Sequence, residues 1–305
     1  MMSKRVAVVT GSNKGIGYEI VRELCSKFDG DVFLTARNED RGRAAVERLK
    51  SEGSHPKFHQ LDIMDDASIK SLAVFLEQNY GGLDVLVNNA AILYRLGDTT
   101  PFAEQAVNTI KVNFSGTLKV CLHLFPLLRS HARVVHMSSS AGYLSYIESE
   151  DVRNRFRSEN LTKEELCGFM KEFVKHGQEG THEAKGWGCR PYSISKIGIN
   201  ALTIIQQKKF LEDERADIVV NAVHPGFVIT DMTGGKGELT PSQGTHPPFF
   251  DAFFGVAYTQ HPTKLLTIPH LGAEAPVYLA LLPPNVESPR GKFVWNDKTV
   301  ASWTA

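Results

Sequence analysis

The sequence predicts an α/β fold, a doubly wound parallel sheet with helices on both faces. Six short, β-rich apolar runs occur along the chain, at 5–9, 32–36, 57–61, 84–87, 133–137 and 218–223. Each run is followed by a stretch with apolar residues at helical spacing, as at Ile69, Leu72 and Leu76. Such alternation requires crossover connections, which produce a parallel sheet covered by helices.

The composition is that of a globular protein without a dominant charge. The chain has 305 residues, of which 42% are hydrophobic and 22% are charged, and a chain of this size buries about three quarters of its unfolded surface. Its 34 basic and 34 acidic residues cancel, so no overall field attracts nucleic acid or an anionic membrane. We therefore expect neither as a partner.

The cysteines and the apolar runs bear on the cellular location. Four cysteines lie far apart, without a C-x-x-C pair or a zinc-type His/Cys cluster: Cys25, Cys121, Cys167 and Cys189. The longest apolar run, 277–282, is too short to span a membrane, and the N-terminus leads directly into a strand-like run. These features predict reduced thiols, no metal site, no signal peptide and a cytoplasmic protein.

Two stretches interrupt the alternation, at about 141–190 and about 233–270, and we interpret both as insertions in a single domain, 1–305. The first contains a predicted helix. Thr162 and Glu165 form a capping box at its start, and Leu161 and Leu166 form a hydrophobic staple there. Gly177 is expected to end it. Its regular apolar stripe should dock on the main domain. The second carries aromatic residues from Phe249 to Tyr258, which fit either a lid over an apolar substrate or the stripe of a surface helix.

A glycine-rich loop follows the first strand. Residues 10–17 read T-G-x-x-x-G-I-G, with glycines at Gly11, Gly15 and Gly17, and lead into a helix that is expected to begin near Tyr18. A strand, a glycine turn and a helix N-terminus together present backbone N–H groups to a pyrophosphate. In this context the loop predicts a Rossmann-type dinucleotide site rather than an ordinary βα turn.

The residue after the second strand indicates which dinucleotide is bound. Arg37 stands where an NAD-preferring protein usually has an acidic residue for the ribose 2′-hydroxyl. Lys14 and Arg41 add positive charge nearby, and arginine binds phosphate bidentately. NADP(H) is therefore predicted, although an arginine at a strand end can also be a simple solvated charge.

Tyr192 and Lys196 lie four residues apart at the start of a long helical stretch, 192–211. Residues at this spacing share one helix face, and a fixed cation beside a phenol favours its ionised form. The pair could therefore transfer protons near neutral pH. Alone, the pattern is common on helix surfaces.

The order of the motifs is more specific than any one of them. Besides those above, the chain has Asp62, Asn88-Asn89-Ala90-Ala91, Asn113, Ser138-Ser139, Pro225-Gly226 and Thr230, each at or after a predicted strand or helix. In this order the chain resembles the short-chain dehydrogenase/reductase family over nearly its whole length. The first insertion and the run A-P-V-Y-L-A-L-L-P-P at 275–284 are similar to the monomeric NADPH-dependent carbonyl reductase branch.

The resemblance implies four catalytic roles. Tyr192 would give a proton to the carbonyl oxygen, and Ser139 would hydrogen-bond the same oxygen. Lys196 would lower the pKa of Tyr192 and bind the nicotinamide ribose, and Asn113 would hold a water that connects Lys196 to solvent. Ser138 and Ser140 remain alternatives to Ser139.

The resemblance also implies the residues that contact the ligands. Asn13, Lys14, Ile16, Asp62, Ile63, Asn89, Val228 and Thr230 would bind the cofactor, and Phe227 would line the substrate pocket. Asp62 could instead be a turn or N-cap residue, and Phe227 could pack in the core. Ala91 departs from the family pattern, which has glycine there, and its methyl group is expected to crowd the turn beside the cofactor.

The resemblance implies an NADPH-dependent reductase of ketones, aldehydes or quinones. It also implies a monomer, because in this branch the insertion after Ser139 covers the helical face that other family members use to assemble. The alternative is a catalytically weak NADP(H)-binding redox sensor or regulatory protein. A sugar-nucleotide epimerase shares the Tyr/Lys pair, but the glycine spacing disfavours it.

Overall fold

The computed structural model describes residues 4–95, 97–226, 228, 232 and 269–304, and the eight strands within them belong to one sheet. The strands are β1 (Val6–Val9), β2 (Asp31–Ala36), β3 (Lys57–Gln60), β4 (Leu83–Asn88), β5 (Leu128–Met137), β6 (Val219–Val223), β7 (Phe293–Val294) and β8 (Val300–Ala301). Their order in the sheet is β3-β2-β1-β4-β5-β6-β7-β8. Strands β1 to β7 run parallel, and β8 pairs antiparallel with β7. The predicted doubly wound sheet is confirmed, and β7 and β8 are additions to it.

Helices cover both faces of the sheet. They are α1 (Gly15–Lys27), α2 (Glu39–Ser51), α3 (Asp66–Tyr80), α4 (Phe102–Thr109), α5 (Thr117–Leu124), α6 (Glu150–Arg157), α7 (Lys163–Gln178), α8 (Pro191–Leu211) and α9 (Pro269–Ala280). One apolar core joins α1, α2 and α9 to the sheet, whereas α3, α5 and α8 pack on the opposite face. The strand order runs from β1 to β3 on one side of the sheet and from β4 to β8 on the other. The order therefore reverses between β1 and β4, and ligands bind in such sheets at the carboxyl ends of the strands that flank this switch point.

The first insertion docks on the main domain as its stripe predicted. The capping box of Thr162 and Glu165 begins α7, and α7 packs against α4 and α8. Leu166, Met170 and Phe173 are buried in this contact. The insertion therefore extends the core on the face that carries α8.

The expectation that Gly177 ends this helix was wrong. Helix α7 continues to Gln178, and Gly180 adopts the left-handed conformation at φ +69°. Gly177 is instead a close packing position, since an added Cβ atom would lie 3.2 Å from Ala106 Cβ on α4.

The second insertion, with its aromatic residues from Phe249 to Tyr258, lies outside the described residues. Phe227 and Thr230 also lie outside them. None of the helices in the described parts of the chain combines the length and the apolar character that a membrane span requires.

Candidate active site

The glycine loop closes tightly around the start of α1. Gly11 has φ +60°, a conformation that side chains disfavour. A Cβ atom on Gly17 would lie 2.5 Å from Asn89 Nδ2 and 2.8 Å from Ser12 Cα. The helix begins at Gly15 rather than near Tyr18, so the second and third glycines belong to its first turn, where free N–H groups are available to an anion.

Asn89 holds this loop in place. Its side-chain Nδ2 donates to the carbonyl oxygens of Thr10 at 3.0 Å and Gly11 at 2.9 Å. In return, Thr10 Oγ1 accepts from the backbone N–H groups of Asn89 at 2.9 Å and Ala90 at 3.0 Å. Asn89 therefore shapes the loop as well as lining the cleft beside it.

A cleft of about 550 Å³ opens at the switch point. Of the predicted cofactor residues, it brings together Gly11, Asn13, Lys14, Gly15, Ile16, Gly17, Arg37, Asp62, Ile63 and Asn89. Six lining residues that the sequence did not single out are Ala36, Leu61, Met64, Ile92, Val112 and Met232. Most of them lie at or just after the end of a strand. The hydrophobic periodicity of the sequence predicts helices and strands but does not predict which residues at their ends line a cleft.

Arg37 and Arg41 occupy different environments. Arg37 is exposed at the end of β2 and lines the cleft, while its carbonyl oxygen accepts from Gln60 Nε2 at 3.1 Å. Arg41 lies in the first turn of α2, where its N–H donates to the Asn38 cap at 2.9 Å, and it is not among the lining residues. The cleft wall thus contains one of the two predicted arginines.

Asp62 is a turn residue that also lines the cleft. Its Oδ1 accepts from the backbone N–H of Met64 at 2.9 Å, which makes it a turn residue. It nevertheless lines the cleft next to Ile63.

Ala91 also lines the cleft. Its φ is not positive, unlike that of four other non-glycine residues in the described structure. The backbone at this position therefore does not need glycine.

The candidate catalytic residues lie at the start of α8 and the end of β5. Lys196 is buried, its Nζ donates to the Met137 carbonyl oxygen at 2.6 Å, and it lies 5.4 Å from the centre of the Tyr192 ring. The Ser139 side chain lies beside Tyr192 and acts to lower the pKa of its phenol. This contact supports Ser139 rather than its neighbours as the serine that faces the tyrosine.

Burial dominates the protonation of both groups. It raises the pKa of Tyr192 to about 12, against the opposing effect of the Ser139 side chain. It also lowers the pKa of Lys196 to about 7. The expectation that Lys196 lowers the phenol pKa is not met in this structure, because the ammonium group bonds to Met137 and is itself destabilised by burial.

Asn113 lies in a π-helical turn, Ile110–Gly116, between α4 and α5. Its side chain accepts from the N–H of Ile92 at 2.8 Å and donates to the Ile92 carbonyl at 2.9 Å. It also donates to Ser195 Oγ at 3.1 Å. The side chain is thus engaged with protein groups, and it ties α8 to the wall of the cleft.

Sequence analysis missed Ser195. This buried hydroxyl donates to the Tyr192 carbonyl oxygen at 2.7 Å and so connects Asn113 with the turn that carries the tyrosine. Its only sequence signal is a polar residue on the buried side of the helix beside Lys196.

Two further buried residues, of which only Val228 was predicted to bind the cofactor, lie away from these contacts. Val228 is buried and does not line the cleft; a Cβ atom on Gly272 of α9 would lie 2.5 Å from its Cγ2. His136 is buried between Asn88 and Gln206, and burial lowers its pKa to about 4. No group of metal-ligating side chains that could hold an ion occurs among the described residues.

Comparisons with known proteins agree on one family. Residues 5–150 match the family model of short chain dehydrogenases. Pig (Sus scrofa) carbonyl reductase (NADPH) 1 is 46% identical over 301 residues, covering 98% of this chain and 94% of that protein.

Solved structures give the same result. Salutaridine reductase from Papaver somniferum aligns with a TM-score of 0.77 and 30% identity, covering 95% of this chain and 99% of that one. Menthone neomenthol reductase from Mentha piperita aligns with a TM-score of 0.74 and 31% identity, covering 96% of this chain and 99% of that one.

Proposed function

Since this chain belongs to the short-chain dehydrogenase/reductase family, in its carbonyl reductase branch, we propose that it uses NADPH to reduce the carbonyl groups of small molecules. The observation that carries this proposal is that Tyr192 lies beside the Ser139 side chain and 5.4 Å, measured to its ring centre, from the amino group of buried Lys196. A protein that only binds the cofactor needs neither hydroxyl.

The residues present fit the dinucleotide. The glycine loop leaves no room for a Cβ at Gly17, and Arg37 and Lys14 border the same cleft, where they would hold the 2′-phosphate and pyrophosphate. NADPH, when bound, supplies the hydride that reduces the carbonyl carbon. Val228 and Thr230 are proposed to hold its carboxamide.

Tyr192 and Ser139 are proposed to act together on the substrate oxygen. Negative charge develops on that oxygen during reduction, so two hydroxyl donors fixed beside it stabilise the transition state. Because the pKa of Tyr192 is raised, its hydroxyl is protonated at neutral pH and available as the proton donor. Ser139 would hold the oxygen within reach of that proton.

Lys196 is proposed to restore the proton and to bind the nicotinamide ribose. With a pKa of about 7, its amino group exchanges protons readily at neutral pH. Because the Asn113 side chain is bonded to Ile92 and Ser195, we propose that Asn113 contacts the connecting water through its backbone.

The substrate class, assembly and location extend the same proposal. We propose ketones, aldehydes or quinones as substrates, with Phe227 lining their pocket. Helix α7 covers α4 and α8, which supports a monomer. The four cysteines are all unpaired, which supports a cytoplasmic location.

The test is NADPH oxidation, followed by absorbance, against a panel of quinones, aromatic ketones and aldehydes, with NADH in parallel. We expect turnover with NADPH well above that with NADH. Tight NADPH binding without turnover of any panel member would contradict the proposal and favour the regulatory alternative.

A further inference from the structure

The C-terminal hairpin of β7 and β8 contains only two residues in each strand. Its turn is closed by hydrogen bonds from the Trp295 N–H to the Thr299 carbonyl and from the Lys298 N–H to the Trp295 carbonyl, both 2.8 Å. Isolated hairpins of this size are unstable in water. This hairpin is held in place by the pairing of β7 with β6 and by its aromatic side chains, since Phe293, Trp295 and Trp303 are all buried.

These contacts lead to the segment that follows Ser139. The Leu144 N–H donates to the Trp303 carbonyl oxygen at 2.9 Å, and Trp295 Nε1 donates to the Tyr143 hydroxyl at 2.9 Å. The rings of Tyr143 and Phe293 meet edge to face, with centres 5.8 Å apart. The hairpin thus bonds to two consecutive residues of this segment.

The opposite side of the same segment packs on α8. Asn200 Nδ2 donates to the Gly142 carbonyl oxygen at 3.0 Å. A Cβ atom on Gly142 would lie 3.2 Å from the backbone of Lys196. The segment is therefore enclosed between the hairpin and the helix that carries Tyr192 and Lys196.

Ser139 is the first residue of the enclosed segment. Its Oγ accepts from the Ala141 N–H at 3.1 Å, and its carbonyl oxygen accepts from the Gly142 N–H at 2.9 Å. These bonds form one short turn from Ser139 to Gly142. This turn therefore connects the Ser139 hydroxyl to the backbone that leads directly into Tyr143.

We propose that the C-terminal hairpin is a positioning element for the reaction, which fixes the Ser139 hydroxyl opposite Tyr192 through Tyr143 and Leu144. This rests on the proposed function, because Ser139 must act on the substrate oxygen. Tyr143 and Trp295 are positioning residues and need not touch substrate or cofactor.

The first test is Tyr143→Phe, which removes the hydroxyl and keeps the ring. We expect kcat to fall about fivefold, the order expected for losing one neutral hydrogen bond, with unchanged KM and Kd for NADPH. Trp295→Phe should act in the same direction. The matched control is Tyr80→Phe, because Tyr80 OH bonds to Asp31 at 2.6 Å at the opposite edge of the sheet; it should lower Tm without changing kcat.

A double-mutant cycle separates positioning from general stability. In the Ser139→Ala background, Tyr143→Phe should have no further effect on kcat, because the group through which it acts is absent. Unchanged kcat in both single variants, or an equal further loss in the Ser139→Ala background, would overturn the inference. Absence of turnover in the unsubstituted protein would instead contradict the proposed function.

Discussion

The cofactor cleft and the catalytic group lie at the same edge of the sheet but are constructed differently. The cleft depends on the backbone of one contiguous loop, 10–17, and on exposed charges such as Arg37. The catalytic group depends on side chains from separate elements, with Lys196 buried and both Lys196 and Tyr192 strongly shifted in pKa. Binding and chemistry should therefore be separable by substitution.

Tyr192→Phe is expected to have the largest effect on the chemistry while leaving cofactor binding intact. This change removes the proposed proton donor, and general acid catalysis contributes about 10²–10⁴-fold to rate. We expect kcat to fall by this order, measured by NADPH oxidation with the best substrate of the panel. The Kd for NADPH, measured by fluorescence titration, should stay within about twofold because the glycine loop is unaffected.

If Tyr192→Phe kept the wild-type kcat, the proposed separation of chemistry from cofactor binding would be contradicted, since the chemistry would then not depend on this side chain. Loss of NADPH binding would show instead that the tyrosine belongs to the cleft.

Arg37→Asp is expected to have the opposite effect: it should change cofactor binding and leave the chemistry intact. The substitution places a carboxylate where we propose the 2′-phosphate binds, and should lower the NADPH-to-NADH ratio of kcat/KM by about 10²-fold, or about 3 kcal/mol. Its kcat with saturating NADH should approach that of the unsubstituted protein with NADPH.

Arg41→Asp is the matched control, because Arg41 does not line the cleft. If both variants changed the preference for NADPH over NADH equally, the preference would depend only on the overall positive charge of this region. Arg37 would then make no specific contact with the 2′-phosphate.

The two regions also differ in how far they were predictable. The glycine loop and Arg37 were found because their spacing is local and the backbone there has few alternatives. Ser195 and its bond with Asn113 were not, since this bond joins residues 82 positions apart. The low pKa of Lys196 was also missed, because the burial that causes it depends on packing around α8. The place of Tyr143 against the hairpin likewise depends on long-range contacts.

A third prediction uses the burial of Lys196. Its pKa is about 7 in the folded protein, below its ordinary value of 10.5, so between these two pH values the unfolded chain binds more protons. The free energy of unfolding should therefore gain up to about 1.4 kcal/mol per pH unit from this group as pH rises through that window. Below pH 7 the same burial contributes a constant penalty.

Lys196→Met should remove this contribution. Denaturant unfolding of the protein without cofactor, measured at several pH values, should show a flatter rise above neutral pH and a higher stability at pH 7 for the variant. If the free energy of unfolding depended on pH in the same way in both proteins, Lys196 would have an ordinary pKa. The catalytic group would then be as accessible to water as the cleft.

The smallest effect is expected at Ala91, where the cleft departs from the family pattern. Because φ at Ala91 is not positive, Ala91→Gly relieves no backbone strain and adds freedom to the unfolded chain. It should lower the free energy of unfolding by about 0.4–1 kcal/mol and leave the Kd for NADPH within about twofold. Ala216→Gly, in an exposed turn far from the cleft, should show the same loss of stability. Tighter NADPH binding by Ala91→Gly alone would mean that the methyl group does crowd the cofactor, and that a side chain as well as the backbone limits this cleft.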